Sequence, residues 1–199
     1  MKKGDLDIRA LKTYGFGPIS PMWWGTLAFI ALEGTGFALT IGAYLYLMTS
    51  NSQWPLAAEP PDLLFGTLIT ITLLASVIPN HILKRSARQE DLAGVRMGLL
   101  VMVALGALPL IFRIFEFRGL GVSWDENAYG SIVWFLLGLH TTHLLTDFGD
   151  TAVLAALMFT RHSRTGRRFS DVEDNAVYWD FVVISWLPIY LLIDWVPRW

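Results

Sequence analysis

Between residues 22 and 196 the chain is dominated by long apolar runs joined by short charged connections. Five runs can be separated, at about 22–48, 62–83, 95–117, 129–160 and 176–196. A helix needs about 20 apolar residues to cross the hydrocarbon layer, and each run is long enough. The fourth has length to spare for tilting or projecting. Membrane β-strands would alternate apolar and polar side chains over about ten residues. These runs are continuous, so the helix is the form that satisfies their backbone groups in lipid. The expected fold class is all-α integral membrane, with five transmembrane helices forming one domain over 22–199. Residues 1–21 hold Lys2, Lys3, Arg9 and Lys12 without an apolar run, and read as a cytoplasmic or interfacial arm rather than a secretory signal.

Composition agrees. Charged residues make up 16% of the chain, against about a quarter in soluble domains. There are no cysteines, which excludes disulfides, zinc-thiolate sites, iron–sulfur clusters and cysteine nucleophiles. A net charge of -2 argues against a nucleic-acid partner.

The basic residues sort by connection. Four lie in the arm. Lys84, Arg85, Arg88 and Arg96 flank the second connection, and Arg161, Arg164, Arg167 and Arg168 the fourth. The other side has Arg113, Arg118 and Arg198. Twelve against three places the amino terminus in the cytoplasm and the carboxyl terminus in the periplasm, consistent with an odd number of spans. Trp23, Trp24, Trp54, Trp124, Tyr129 and Trp199 fall near the span ends and are expected as interfacial anchors. Gly34, Gly36, Gly42 and Gly138 are expected at close helix contacts. Pro79, Pro109 and Pro188 are expected at or near span ends, where they can bend them.

Ionisable groups inside apolar runs are costly unless paired or wetted, and are therefore informative. Glu33 sits near the middle of the first run and needs a hydrogen-bond partner or its proton. It reads either as a structural hydrogen bond to a neighbouring helix or as a lipid- or proton-linked group. His140, His143, Asp147 and Asp150 fall within roughly 80° of one another at 100° per residue, giving one polar stripe extended by Thr151. Asp147 and Asp150 are expected to find donors on another helix or in water. A metal reading of this stripe is weak. Catalytic sites usually need three or more protein ligands, His81 lies at the end of the second run, and His162 lies in a connection. No metal site is expected. Asp180 is expected to be solvated or to pair with the nearby arginines. Arg113 and Glu116 are expected to form an i, i+3 pair at the outer interface. The aromatics of the fifth run (Tyr178, Trp179, Phe181, Trp186, Tyr190 and Trp195) read as packing or an interfacial belt.

Five ordered motifs resemble subunit III of the haem–copper terminal oxidases. FIALEGTGFALTIGAYL (residues 29–45) is similar to that family's helix with a mid-membrane glutamate. NHILKRSARQEDL, LIFRIFEF, AYGSIVWFLLGLHTTHLL and EDNAVYWDFVVISWLPIYLLIDW follow in family order. The resemblance implies that Glu33 matches the buried carboxylate that reacts with carbodiimides. It implies that Glu116, His140, His143, Glu173, Tyr178 and Trp179 match other family positions with lipid-binding or proton-linked roles. It further implies a non-catalytic chain with bound phospholipid and no cofactor of its own. Such a chain packs on subunit I beside the other oxidase subunits, supports proton uptake and slows turnover-linked inactivation. Haem and copper would lie in the partner subunits, and the location would be a bacterial inner membrane. The chain departs from the family pattern at Asp180 (for His), Val183 (for Asp), Arg113 (for Gln), Phe117 (for Tyr), and at Asp147 and Asp150, where apolar or small residues are usual. These departures leave a second reading, an accessory protein of a nitric oxide reductase. A third is a stand-alone membrane metalloprotein or proton-coupled carrier using the fourth-run stripe.

Overall fold

The computed structural model describes residues 21–56, 58–160 and 166–199. The arm at 1–20 and the connection at 161–165, with Arg161, His162 and Arg164, lie outside the described residues. Five long helices follow in order: α1 (Pro21–Ser50), α2 (Leu63–Arg88), α3 (Leu92–Arg118), α4 (Ala128–Met158) and α5 (Gly166–Tyr190). A π-helical segment, Leu191–Trp195, and a 3-10 turn, Val196–Arg198, end the chain. Four of these helices are long and apolar enough to cross a membrane: α1, α2, α3, and α5 with its extension. The chain is therefore a multi-pass membrane protein. α4 has the length of a span but carries its acids at the inner half.

Local chemistry sets the helix ends. Asp62 caps α2 by accepting from the Leu64 amide at 3.1 Å, directly after Pro60 and Pro61. The α2–α3 hairpin takes three residues. Glu90 adopts a left-handed φ of 53°, and the amides of Glu90 and Asp91 return to the carbonyls of Ala87 and Ser86. Asp91 then caps α3 through the Ala93 amide at 3.1 Å. Asn127 caps α4 through the Gly130 amide at 2.8 Å. Pro79 and Pro109 lie inside α2 and α3 rather than at span ends. Pro188 lies near the end of α5, and the helix widens to π geometry three residues later.

α2, α3, α4 and α5 form a four-helix ring in which α2 meets α3 and α5, and α4 meets α3 and α5. α1 lies outside the ring against α4 and α5. It is the least buried span, and α5 is the most. A polar ladder stitches α2 to α5. Asn80 donates to the Ala176 carbonyl at 2.8 Å, the Trp179 indole to Ser76 Oγ at 2.8 Å, and the Trp186 indole to Thr70 Oγ1 at 2.8 Å. Thr67 and Tyr190 exchange a hydrogen bond at 2.9 Å. In lipid there is no hydrophobic drive between helices, so packing and such bonds hold the seam.

Several expectations need correction. The glycines that permit close approach are Gly66, Gly98 and Gly130, where an added methyl would collide with Asp194, Leu83 and the Ser123 carbonyl. Gly36, Gly42 and Gly138 face open space, and Gly34 meets only Phe181. Tyr129 is buried, and Trp54 packs edge-on between Tyr44 and Tyr129. These two are internal wedges rather than interfacial anchors. Trp24, Trp124 and Trp199 are exposed. α5 begins ten residues before the expected start of the fifth run.

Candidate functional site

Two polar centres bring together most of the expected residues. The first ties α1 to the bundle. Glu33, alone on an apolar helix, accepts from the Tyr178 hydroxyl of α5 at 2.7 Å through one oxygen. Its other oxygen lies 3.1 Å from His143 Nε2 of α4. His143 Nδ1 donates to the Leu139 carbonyl one turn earlier, at 2.6 Å. Nε2 and the carboxyl therefore share one proton, carried by either group. Phe37, one turn along α1, packs its ring 4.9 Å from the His143 ring. Nearer the other end of α1, Tyr44 donates to the Leu192 carbonyl at 2.7 Å and accepts from the Trp54 indole at 3.0 Å. α1 is thus held by two polar clasps with an aromatic contact between them.

The second centre lies inside the ring. Arg113 is 1% exposed. It donates to Glu116 at 2.5 Å and to His140 Nδ1 at 3.0 Å, and its guanidinium lies 4.3 Å from the Trp186 ring centre. His140 Nε2 donates to the Val182 carbonyl at 3.0 Å. One donor and one acceptor are what a neutral imidazole offers. The Arg113–Glu116 pair is therefore a buried pair and not an interfacial one. Both ring nitrogens of His140 and of His143 are engaged by protein groups, so neither can ligate a metal without giving up a contact.

The fourth-run stripe consequently divides. His140 turns toward α3 and α5, while His143, Asp147 and Asp150 face a cleft of about 610 Å³ between α1, α4 and α5. Asp147 accepts from Asn175 Nδ2 at 3.1 Å, as expected of a donor on another helix. Thr151 also bonds Asn175. Asp150 is exposed on the cleft. Arg168, Asp171, Asp174 and Asn175 of α5 form the opposite wall, and Arg168 pairs with Asp171 at 3.2 Å.

Other expected site residues lie apart from the cleft. Glu173 bridges to Arg88 at 2.7 Å on an exposed flank. Trp179 is buried in the α2–α5 ladder. Asp180 pairs with Lys84 at 2.9 Å and accepts from Asn80 at 2.7 Å, so its cation is a lysine of α2 rather than an arginine. The α5 residues of the cleft were missed because their stretch reads as a polar connection. Their spacing at 168, 171, 174–175 and 178 does place them on one helical face.

A family model described as cytochrome c oxidase subunit III matches residues 24–198, which include all five helices apart from the start of α1. The chain is similar to the cytochrome c oxidase subunit 3 of Thermostichus vulcanus, with 25% identity over 176 residues, covering 87% of each chain. The corresponding protein of Synechocystis sp. is 27% identical over 175 residues, covering 85% of this chain and 73% of the relative. That of the earthworm Lumbricus terrestris is 27% identical over 179 residues, covering 86% and 69%.

Proposed function

Because the chain belongs to the cytochrome c oxidase subunit III family, we propose that it is a non-catalytic subunit of a haem–copper terminal oxidase, packed against the large subunit that carries haem and copper. The observation that carries this reading is the family match running through every helix. The surface supports it. Ile71, Ile78 and Ile82 on α2, with Met97, Ile111 and Ile114 on α3, point outward, and this broad apolar face suits a partner helix or lipid. In this reading electron chemistry belongs to the partner subunits. The chain shields one flank of the large subunit, holds phospholipid in the cleft between α1, α4 and α5, supports proton uptake and prolongs activity during turnover.

The basic residues Lys84, Arg88, Arg96 and Arg168 gather at one end of the bundle, where Arg88 meets Glu173 and Arg96 meets the Met158 carbonyl. By the positive-inside rule that end faces the cytoplasm of a bacterial inner membrane, and the carboxyl terminus faces the periplasm. Affinity purification of the chain from its own membranes, followed by a mass-spectrometric inventory, tests the assignment. Recovery with a haem–copper oxidase large subunit is expected. Recovery as a stable monomer, or with a nitric oxide reductase instead, would overturn it.

A further inference from the structure

The cleft between α1, α4 and α5 carries a charge imbalance that the helices do not resolve. Five carboxyl groups line it: Glu33, Asp147, Asp150, Asp171 and Asp174. Two are satisfied, Glu33 by His143 and Tyr178, and Asp171 by Arg168. The other three have no cationic partner among the described residues. Asp147 is 1% exposed and Asp174 is 5% exposed, and the Oδ2 atom of each is buried without a hydrogen-bond donor. A buried carboxylate oxygen left without a donor is costly, so a natural partner is one that brings both charge and N–H groups.

We infer that this cleft binds a primary ammonium group carried on an aliphatic tail, as an aminophospholipid presents it. The inference rests on the lipid-cleft reading above and adds the headgroup chemistry to it. A primary ammonium offers three N–H donors, which can reach unpartnered oxygens on α4 and α5. A quaternary ammonium has no N–H to give. An anionic headgroup would add repulsion to a wall already rich in acid. The remaining lining includes Met22, Phe29, Val153, Leu154 and Leu157, an apolar surface along which an acyl chain can lie. Arg168 stands with the acids and supplies the one guanidinium positioned to meet the phosphate of a zwitterionic headgroup. At about 610 Å³ the cleft holds a headgroup and the start of a chain, within the usual range for small-molecule sites.

The test uses the intact complex that contains this chain, placed in nanodiscs of phosphatidylethanolamine, phosphatidylcholine or phosphatidylglycerol. Native mass spectrometry counts the lipids that survive detergent washing. The ethanolamine lipid is expected to be retained at least about tenfold over the other two, a difference of about 1.4 kcal/mol. Asp147→Asn with Asp174→Asn should abolish that preference, while Glu59→Gln in the exposed loop before α2 should preserve it. Asp150→Asn, at an exposed position, gives a second variant that does not depend on the buried pair tolerating change, and it should weaken the preference. Retention regardless of headgroup, preference for the glycerol lipid, or an unchanged preference in all the aspartate variants would overturn the ammonium assignment while leaving a lipid cleft. Displacement by free ethanolamine would overturn the lipid as its source. A complex that retains no lipid at all would overturn the lipid-cleft reading itself.

Discussion

Replacing Glu33 with alanine removes the clasp that joins α1 to α4 and α5. Two interhelical hydrogen bonds are lost, from Tyr178 at 2.7 Å and with His143 at 3.1 Å. Such bonds inside membrane proteins average about 0.6 kcal/mol and reach about 1.7, so the pair is worth about 1–3 kcal/mol. That corresponds to roughly a 5- to 150-fold rise in the local opening of α1. The Tyr44 clasp and the Phe37 packing remain, so the helix should loosen without leaving. Glu33→Gln keeps an acceptor for Tyr178 and a donor for His143, and should cost less than about 1 kcal/mol. Hydrogen exchange of the complex in nanodiscs reads this by segment. Faster exchange is expected across the middle of α1 in the alanine variant, with α2 and α3 unchanged. Equal protection of α1 in wild type and Glu33→Ala would refute the clasp, as would an effect spread evenly over all five helices.

Three further expectations follow from single contacts. In Gly66→Ala the new methyl would lie 2.8 Å from both carboxyl oxygens of Asp194; overpacking of this kind costs about 1–3 kcal/mol, should appear as a lower melting temperature, and should be relieved by adding Asp194→Ala. Arg113→Ala leaves Glu116 as a buried, unpaired acid and should cost about 3–5 kcal/mol, whereas Arg113→Gln with Glu116→Gln should recover most of the loss in the same thermal assay. Because the chain has no cysteine, single cysteines placed at Glu59 and at Arg88 report sidedness directly. A membrane-impermeant maleimide applied from the periplasm should label the first and spare the second.

The five helices were legible because continuous apolar runs have few ways to satisfy their backbone in lipid. The start of α5 was not, since Arg168, Asp171, Glu173, Asp174 and Asn175 lower its hydropathy to that of a loop. The helical signal there is periodic: Phe169, Val172 and Ala176 are buried at spacings of three and four. Glu33 was legible as a lone acid in an apolar run, but its partners come from residues 110 and 145 positions away, and only tertiary packing joins them. The stripe on α4 was read as one surface. Its 80° spread is wide enough for His140 and His143 to be claimed by different neighbours. Aromatic content misled at Trp54 and Tyr129, because a ring near a span end can wedge between helices as readily as it anchors in the interface. The charge of Arg113 and Glu116 suggested an interface, whereas mutual pairing, His140 and the Trp186 face make burial tolerable.

The account holds that this chain supports a redox complex without taking part in its electron transfer. The most direct measurement compares oxygen consumption per haem in the complex with and without the chain, from the first turnovers until activity decays. The expected result is a near-equal initial rate and a shorter active lifetime when the chain is absent. An initial rate that falls in proportion to the chain removed, with the surviving activity lasting as long as before, would contradict it.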